Sequence, residues 1–387
     1  MRNWRFAALL LALWTIGLFM RIPVLAMPPL APLAAADFRL TQTGIGALTM
    51  ISVAVFAMGS LPAAWVTVRL GPRLAIALGL VVSAVLSAAR GAADSAVLLY
   101  MSSVGMGIGI AVLQTAMPVA ARAWAPVRAG LASTVYLNGM MVGELAGAGL
   151  TLPLVLPLAS GDWGMALFIW AIHALGLGLL ILLRRKDAAP SNEALWRPRL
   201  SGRPVLSLGA SLAVAVAAFF VVNAYLSTIL THRGEDDMVQ TLYLAYNITP
   251  FVASLAIVVS GERFLAKTQP IIASGAAASL GLAMFAATSG ALAFVGALIV
   301  GFMASVQLIL LMTVPPMIAR GDDVARLTSG MIFVGYGIAF FLPLLGGHLF
   351  EAFASPVWIV VPTLAFGAIS LLFQPELDGP IRHRCVE

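Results

Sequence analysis

The sequence predicts an all-α polytopic membrane protein: twelve transmembrane helices in two six-helix bundles. Three observations carry this reading. Of 387 residues, 61% are hydrophobic and only 10% charged, with a mean hydropathy of +1.01; a soluble domain is about 45–50% apolar and about 25% charged. A water-soluble fold of this length cannot hide so much apolar surface and still cover itself with polar groups. The apolar runs are continuous rather than alternating, and about 20 of them in a row span a bilayer as a helix. Finally, 18 of the 22 Lys and Arg residues fall on one set of alternate loops, as the positive-inside rule requires of an even span count. A cytosolic enzyme and a disordered scaffold are excluded. So is a secreted disulfide protein, because Cys385 is the single cysteine. The pI near 10.0 does not indicate nucleic acid, since the bases are scattered singly among apolar runs.

In order, the polar breaks place spans at about 5–33, 42–68, 74–91, 96–119, 129–156 and 163–183. A gap at 184–204, rich in charge, Pro, Ser and Asn, reads as a linker. Six more spans follow at about 205–230, 238–260, 270–289, 291–318, 327–350 and 356–374, with a tail from 375 to 387. The expected domains are therefore 1–183, 184–204, 205–374 and 375–387. Arg2, Arg5, Arg69, Arg73, Arg122, Arg128, the six linker bases, Arg263, Lys267, Arg320, Arg326, Arg382 and Arg384 share one side. That side is the cytoplasm, which takes both termini. Met1–Arg5, the apolar run 6–20 and Ala34-Ala35-Ala36 resemble a secretory signal peptide. Arg21 directly after the run, Pro28-Pro29 and the six-plus-six pattern favour a retained first span.

An internal repeat supports the two halves. At an offset of 198 residues Pro118 matches Pro316, Ala121 matches Ala319 and Arg122 matches Arg320. Arg128 matches Arg326, Gly139 matches Gly337 and Gly149 matches Gly347. Parallel six-span halves joined by a cytoplasmic linker are a layout of secondary transporters, whose site lies between the halves near mid-membrane.

At this point the chain resembles the major facilitator superfamily. Arg69-Leu70-Gly71-Pro72-Arg73 is similar to that superfamily's signature between its second and third helices, where it forms a gating loop. It departs in carrying Val68 where an acid is usual. The N-terminal half resembles the cyanate permease and nitroimidazole transporter family. The stretches that carry this are Met20-Arg21-Ile22-Pro23 on to Pro29-Leu30-Ala31-Pro32-Leu33, then Ser87-Ala88-Ala89-Arg90-Gly91, and Gly105–Gly109 through Gln114 to Pro118 and Arg122. The resemblance implies a small-molecule solute, anionic or a small polar heterocycle, and a chain functional as a monomer in a bacterial-type inner membrane. It implies no cofactor, no metal and no nucleic-acid partner.

Charge inside a span is the sharpest local signal, because insertion costs about 2.5–3.5 kcal/mol per ionised group at mid-membrane. Of sixteen acids only Glu144 falls within a span, and Arg21 is the base well inside one. Arg21 lies sixteen residues past Arg5, Glu144 sixteen past Arg128, and Asn247 sixteen before Arg263. Each is thus about 24 Å along its helix from a comparable flank. Arg21 and Glu144 form either a fixed structural pair or a binding pair. In the second case Arg21 holds an anion by its fork of donors and Glu144 competes for it or carries a proton. Arg90, closing the third span, reads as an interfacial anchor that snorkels outward or, by the resemblance, as an anion-attracting group at the outer mouth. His173 reads as a satisfied packing histidine rather than a proton relay. Neutral groups that can complete a solute site are Gln114, Tyr136, Asn138, Asn223, Tyr225, Tyr243, Tyr246, Asn247, Gln307 and Tyr336. Many of these must instead bond between helices.

Gly139, Gly143 and Gly147 form a small-residue stripe that lets another backbone approach, and Gly105, Gly107 and Gly109 do so in the fourth span. Pro118, Pro250, Pro315-Pro316 and Pro343 should bend or weaken their spans. The leading function is alternating-access transport of a small anion or polar solute, with a proton as candidate coupling ion. Efflux of drugs or metabolites is the alternative. A membrane-embedded enzyme is remote, for the spans offer one Glu, one His and no Cys, and no catalytic residue is assigned.

Overall fold

The runs of Leu, Ala, Val and Gly that predict spans do form helices, because in a bilayer each backbone N–H must find its partner within its own segment. The computed structural model describes residues 2–40, 42–182, 202–375 and 377. Most of the linker and of the basic tail lies outside the described residues. The chain divides into two compact units, Met1–Pro198 with Arg320–Ser329, and Arg199–Ala319 with Gly330–Glu387.

The first unit runs α1 (Arg2–Leu25), α2 (Met27–Phe38), α3 (Gln42–Gly91), α4 (Ala96–Trp124), α5 (Ala129–Leu150), α6 (Leu156–Leu158) and α7 (Trp163–Leu182). The second runs α8 (Arg203–His232), α9 (Asp236–Ser260), α10 (Thr268–Ala287), α11 (Gly290–Ile318) and α13 (Val357–Ser370). Between the last two comes α12 (Asp322–Phe353), whose first turns group with the first unit. Among the described residues ten helices are long and apolar enough to cross a membrane, and Val357–Phe373 is a shorter apolar segment.

The expected twelve are recovered at α3. Gly71 stands at φ 76°, ψ 162° inside it, a backbone open to glycine and strained for other residues, so the segment is two helices joined at one residue. The loop expected between the second and third spans shrinks to that glycine. The first span differs in the opposite sense, breaking at Ala26 where a single helix was expected. Pro28 and Pro29 lack the N–H groups that the Val24 and Leu25 carbonyls would accept from, which ends α1 there. Both prolines then sit in the first turn of α2, where they cost nothing. Pro118, Pro250, Pro315-Pro316 and Pro343 all lie inside helices that continue through them. A π-turn at Thr151–Val155, around Pro153, follows α5.

Within the first unit, α4 and α7 pack on α3, and α5 packs on α1. Lipid gives little hydrophobic drive for helix association, so close approach through small residues does the packing. Gly107 admits Val55, Gly105 admits Leu86, and Gly109 meets the backbone of Gly79 and Ser83. In the second unit, α10 lies on α11, with Gly281 and Gly296 at their crossing. Around it a core of Val221, Leu226, Leu242, Tyr246, Leu282, Phe285 and Val300 is fully buried. Arg233 closes that unit at the foot of α8, donating to the Phe285 and Ala286 carbonyls at the end of α10. Partial burial lowers its guanidinium below the ordinary arginine value, against the opposing charge of Glu235. Glu235 in turn accepts from the Gly290 N–H at the start of α11, at 2.6 Å.

Candidate functional site

The α1–α5 seam positions the first unit's charged groups. A Cβ at Gly139 would collide with the Trp14 carbonyl, and one at Gly143 with the Leu18 carbonyl. One at Gly147 would stand 3.0 Å from the Ile22 carbonyl. Both sets advance by four residues together, so α1 and α5 run parallel with backbones in contact. Gly17 answers from α1, where a Cβ would strike the Tyr136 carbonyl.

The level of the two charges follows from that register. Arg21 lies three residues past Leu18, and Glu144 one past Gly143. Arg21 is 6% exposed, with its guanidinium carbon 5.8 Å from the centre of the Phe56 ring of α3, within cation–π range. Its charge acts on Glu144, which is half-buried. About two turns earlier the Trp14 indole N–H donates to Asn138 Oδ1 at 2.9 Å. A planar cation, a carboxylate and aromatic rings thus share one seam. Such a group can hold an anion through charge-assisted bonds, or trade it for the carboxylate. Phe56 and Trp14 were not singled out in the sequence, where nothing distinguishes them from the other aromatic residues of apolar runs.

Arg90 is buried, 2% exposed, so it does not snorkel. Its Nη2 donates to the Pro23 carbonyl at 2.6 Å and to Ser87 Oγ at 3.3 Å. The bond ties the end of α3 to the last turn of α1, beside the break at Ala26. His173 sits on an exposed face of α7 and bonds the Ile169 carbonyl of its own helix at 2.8 Å. It is satisfied but not packed. Tyr136 and Gln114 are buried, and Gln114 Oε1 has no hydrogen-bond partner among the described residues.

The second unit gathers a neutral cluster on α8 and α9. Asn247 Nδ2 donates to Asn223 Oδ1 at 3.2 Å and to the Tyr243 carbonyl at 2.9 Å. The Tyr246 hydroxyl donates to the Phe219 carbonyl at 3.0 Å, and its ring stacks on Phe219. Tyr225 donates to the Pro343 carbonyl at 3.1 Å. Gln307 is buried against Gly275, where a Cβ would stand 2.5 Å from its amide nitrogen, and Tyr336 is buried on α12. Tyr225 and Tyr246 thus bond backbone, as the sequence reading allowed for many of these groups. Among the described residues no group of three or more His, Cys, Asp or Glu is placed to hold a metal ion.

Comparison with known proteins gives this geometry its family. The model of the Major Facilitator Superfamily matches residues 9–237, more than half of the chain. The chain belongs to the Major Facilitator Superfamily. It is therefore a multi-pass membrane transporter and not an enzyme. Among curated proteins it is 22% identical to the uncharacterized transporter YycB of Bacillus subtilis (strain 168), over 89% of this chain and 88% of that protein. Among solved structures it resembles the proton:xylose symporter XylE, with a TM-score of 0.75, 14% identity and 96% of both chains covered. It also resembles FucP in the outward conformation, with a TM-score of 0.72, 15% identity, 94% of this chain and 97% of that one covered.

Within this superfamily member the signature-like loop has particular contacts. Arg73 is buried and its Nη1 donates to the Ile181 and Leu182 carbonyls, 3.2 and 3.3 Å away at the end of α7. Arg69 is exposed. Val68, standing where the family pattern has an acid, is buried among Ala64, Val119 and Ala325. That position makes an apolar contact here.

Proposed function

We propose that this transporter moves a small anion or small polar solute, cyanate-like or similar, across a bacterial-type inner membrane. The reading rests on one observation above others: Arg21 is buried at the α1–α5 seam with its charge acting on Glu144. A buried guanidinium is costly to keep in lipid, and its planar fork of donors suits a carboxylate-like anion better than a sugar or an apolar drug. Glu144 is the proposed competitor for Arg21. Protonating it frees the guanidinium for solute, which couples proton and anion in the same direction. Asn138 in the first unit, and the Asn223–Asn247 amide pair in the second, are the proposed neutral contacts, since amides bind polar solutes without adding net charge. The cytoplasmic placement of both termini belongs to the same proposal.

The test is a solute survey in proteoliposomes of the purified protein, run at pH 5.5 and pH 8 with and without sodium. Small-anion uptake that rises at the acidic pH, needs no sodium and is lost in Arg21→Ala is the expected result. Transport of bulky apolar drugs with no response to small anions would instead establish the efflux reading.

A further inference from the structure

The loop between α9 and α10 opens into a groove of about 870 Å³, lined by Arg263, Phe264, Lys267, Gln269 and Ile272 among others. A loop joining two spans lies at the membrane surface, so the groove sits at headgroup depth. Arg263 and Lys267 are exposed, and Phe264 is exposed between them. Glu262 adjoins Arg263 but does not line the groove. Among the described residues that line it, the charged side chains, Arg263 and Lys267, are both basic.

An apolar track leads away from it. Gln269, Ala273, Ala276 and Leu280 are all exposed on α10, and their steps of four, three and four residues put them on one helix face. Gln269 and Ala273 line the groove itself, so charged mouth and apolar track are continuous. Past the groove this face carries the small Ala273 and Ala276 and then the exposed Leu280.

We propose that this groove is a binding site for an anionic phospholipid. Arg263 and Lys267 take the phosphate, one by a two-pronged contact and one as a point charge. The Gln269 amide donates to headgroup hydroxyls, Phe264 packs at the interface, and an acyl chain follows Ala273, Ala276 and Leu280. A free phosphate would gain the charged contacts alone, whereas a lipid uses the track as well. Basic pockets beside membrane helices favour anionic headgroups in this way. The site lies wholly within the second unit and owes nothing to the assignment of Arg21.

The test uses the full-length protein in phosphatidylcholine vesicles carrying a trace of photoactivatable phosphatidylglycerol or photoactivatable phosphatidylcholine. Each basic group near the surface is worth about fivefold for an anionic lipid. Labelling within residues 264–280 should therefore favour phosphatidylglycerol by about 25-fold in the wild type. In R263Q/K267Q this preference should fall to near parity, and the single variants R263Q and K267Q should each lose about fivefold. The charge-preserving R263K/K267R should keep it, and high salt should weaken it. Glycerol 1-phosphate at the same concentration should not compete. The proposal is overturned if R263Q/K267Q retains the full preference or if the label falls elsewhere on the chain. Equal competition by glycerol 1-phosphate would overturn it too, because a free-anion site would then explain the charge.

Discussion

Arg21 is held over the Phe56 ring and within reach of the Glu144 charge, so its replacement separates charge from geometry. Arg21→Lys keeps the positive charge but loses the planar fork. Charge-assisted bonds are worth about 1.5–3 kcal/mol each. Transport should fall about 10- to 100-fold in Arg21→Lys while the protein inserts and purifies normally, and Arg21→Ala should bind no solute. Solute binding to purified variants checks both, and normal binding by Arg21→Ala would move the site elsewhere. Glu144→Gln asks the sharper question. If Glu144 only neutralises Arg21, removing its charge strands a buried cation, at about 3–5 kcal/mol by analogy with soluble proteins. If it competes with solute, the glutamine mimics its protonated form. Binding should then persist or tighten, lose its dependence on pH between 5.5 and 8, and no longer support accumulation against a gradient. We expect the second pattern, and parallel pH profiles for wild type and variant would remove Glu144 from coupling. These two residues were legible in the sequence because an ionised group in a span is expensive. The contacts of Arg90 and His173 were not, since one sequence gives the depth of a residue but not the rotation of its helix.

At the scale of helices, the repeat in the sequence and the contacts in the structure part company in an instructive way. Gly139 and Gly337 are equivalent at the 198-residue offset. A Cβ at Gly139 would collide with the Trp14 carbonyl, whereas one at Gly337 would meet nothing within 4 Å. Gly139→Ala should therefore force α1 off α5 and destabilise the protein by about 1–3 kcal/mol, the usual cost of overpacking. Gly337→Ala should be neutral, or stabilising by up to about 1 kcal/mol through helix propensity. Thermal unfolding in detergent distinguishes them, and equal midpoints for the two variants would contradict the close α1–α5 approach. The stripe was readable as a packing surface, and its partner was not, because small residues announce an approach without saying which backbone makes it. The helices continue through Pro118, Pro250, Pro315-Pro316 and Pro343. A proline disturbs a helix through the carbonyls it leaves unpaired, and neighbours within the bundle can satisfy those carbonyls. At Pro28-Pro29 the missing N–H groups fall where α1 gives way to α2.

For the molecule as a whole, the span count was legible because hydropathy and the placement of bases agree, and the contacts within the first unit add an independent check. α1 and α5 run parallel, as the matched advance of Trp14, Leu18 and Ile22 with Gly139, Gly143 and Gly147 requires. If α3 crossed the membrane once, α5 would begin on the side opposite to α1 and run antiparallel to it. Two crossings, divided at Gly71, restore the parallel arrangement. The solute was not legible, since Arg21 and Glu144 specify charge and not size. Sidedness rests on the bases alone: 18 of 22 on one face lead us to propose that both termini and the 184–204 linker are cytoplasmic. Fusions at Ser191 should therefore be fluorescent with green fluorescent protein and inactive with alkaline phosphatase, which works only when exported. Fusions in the loops after Phe38 and Gly91 should give the reverse. Active phosphatase at Ser191 would invert the topology, and activity at one but not the other of the loops after Phe38 and Gly91 would break the two crossings assigned to α3.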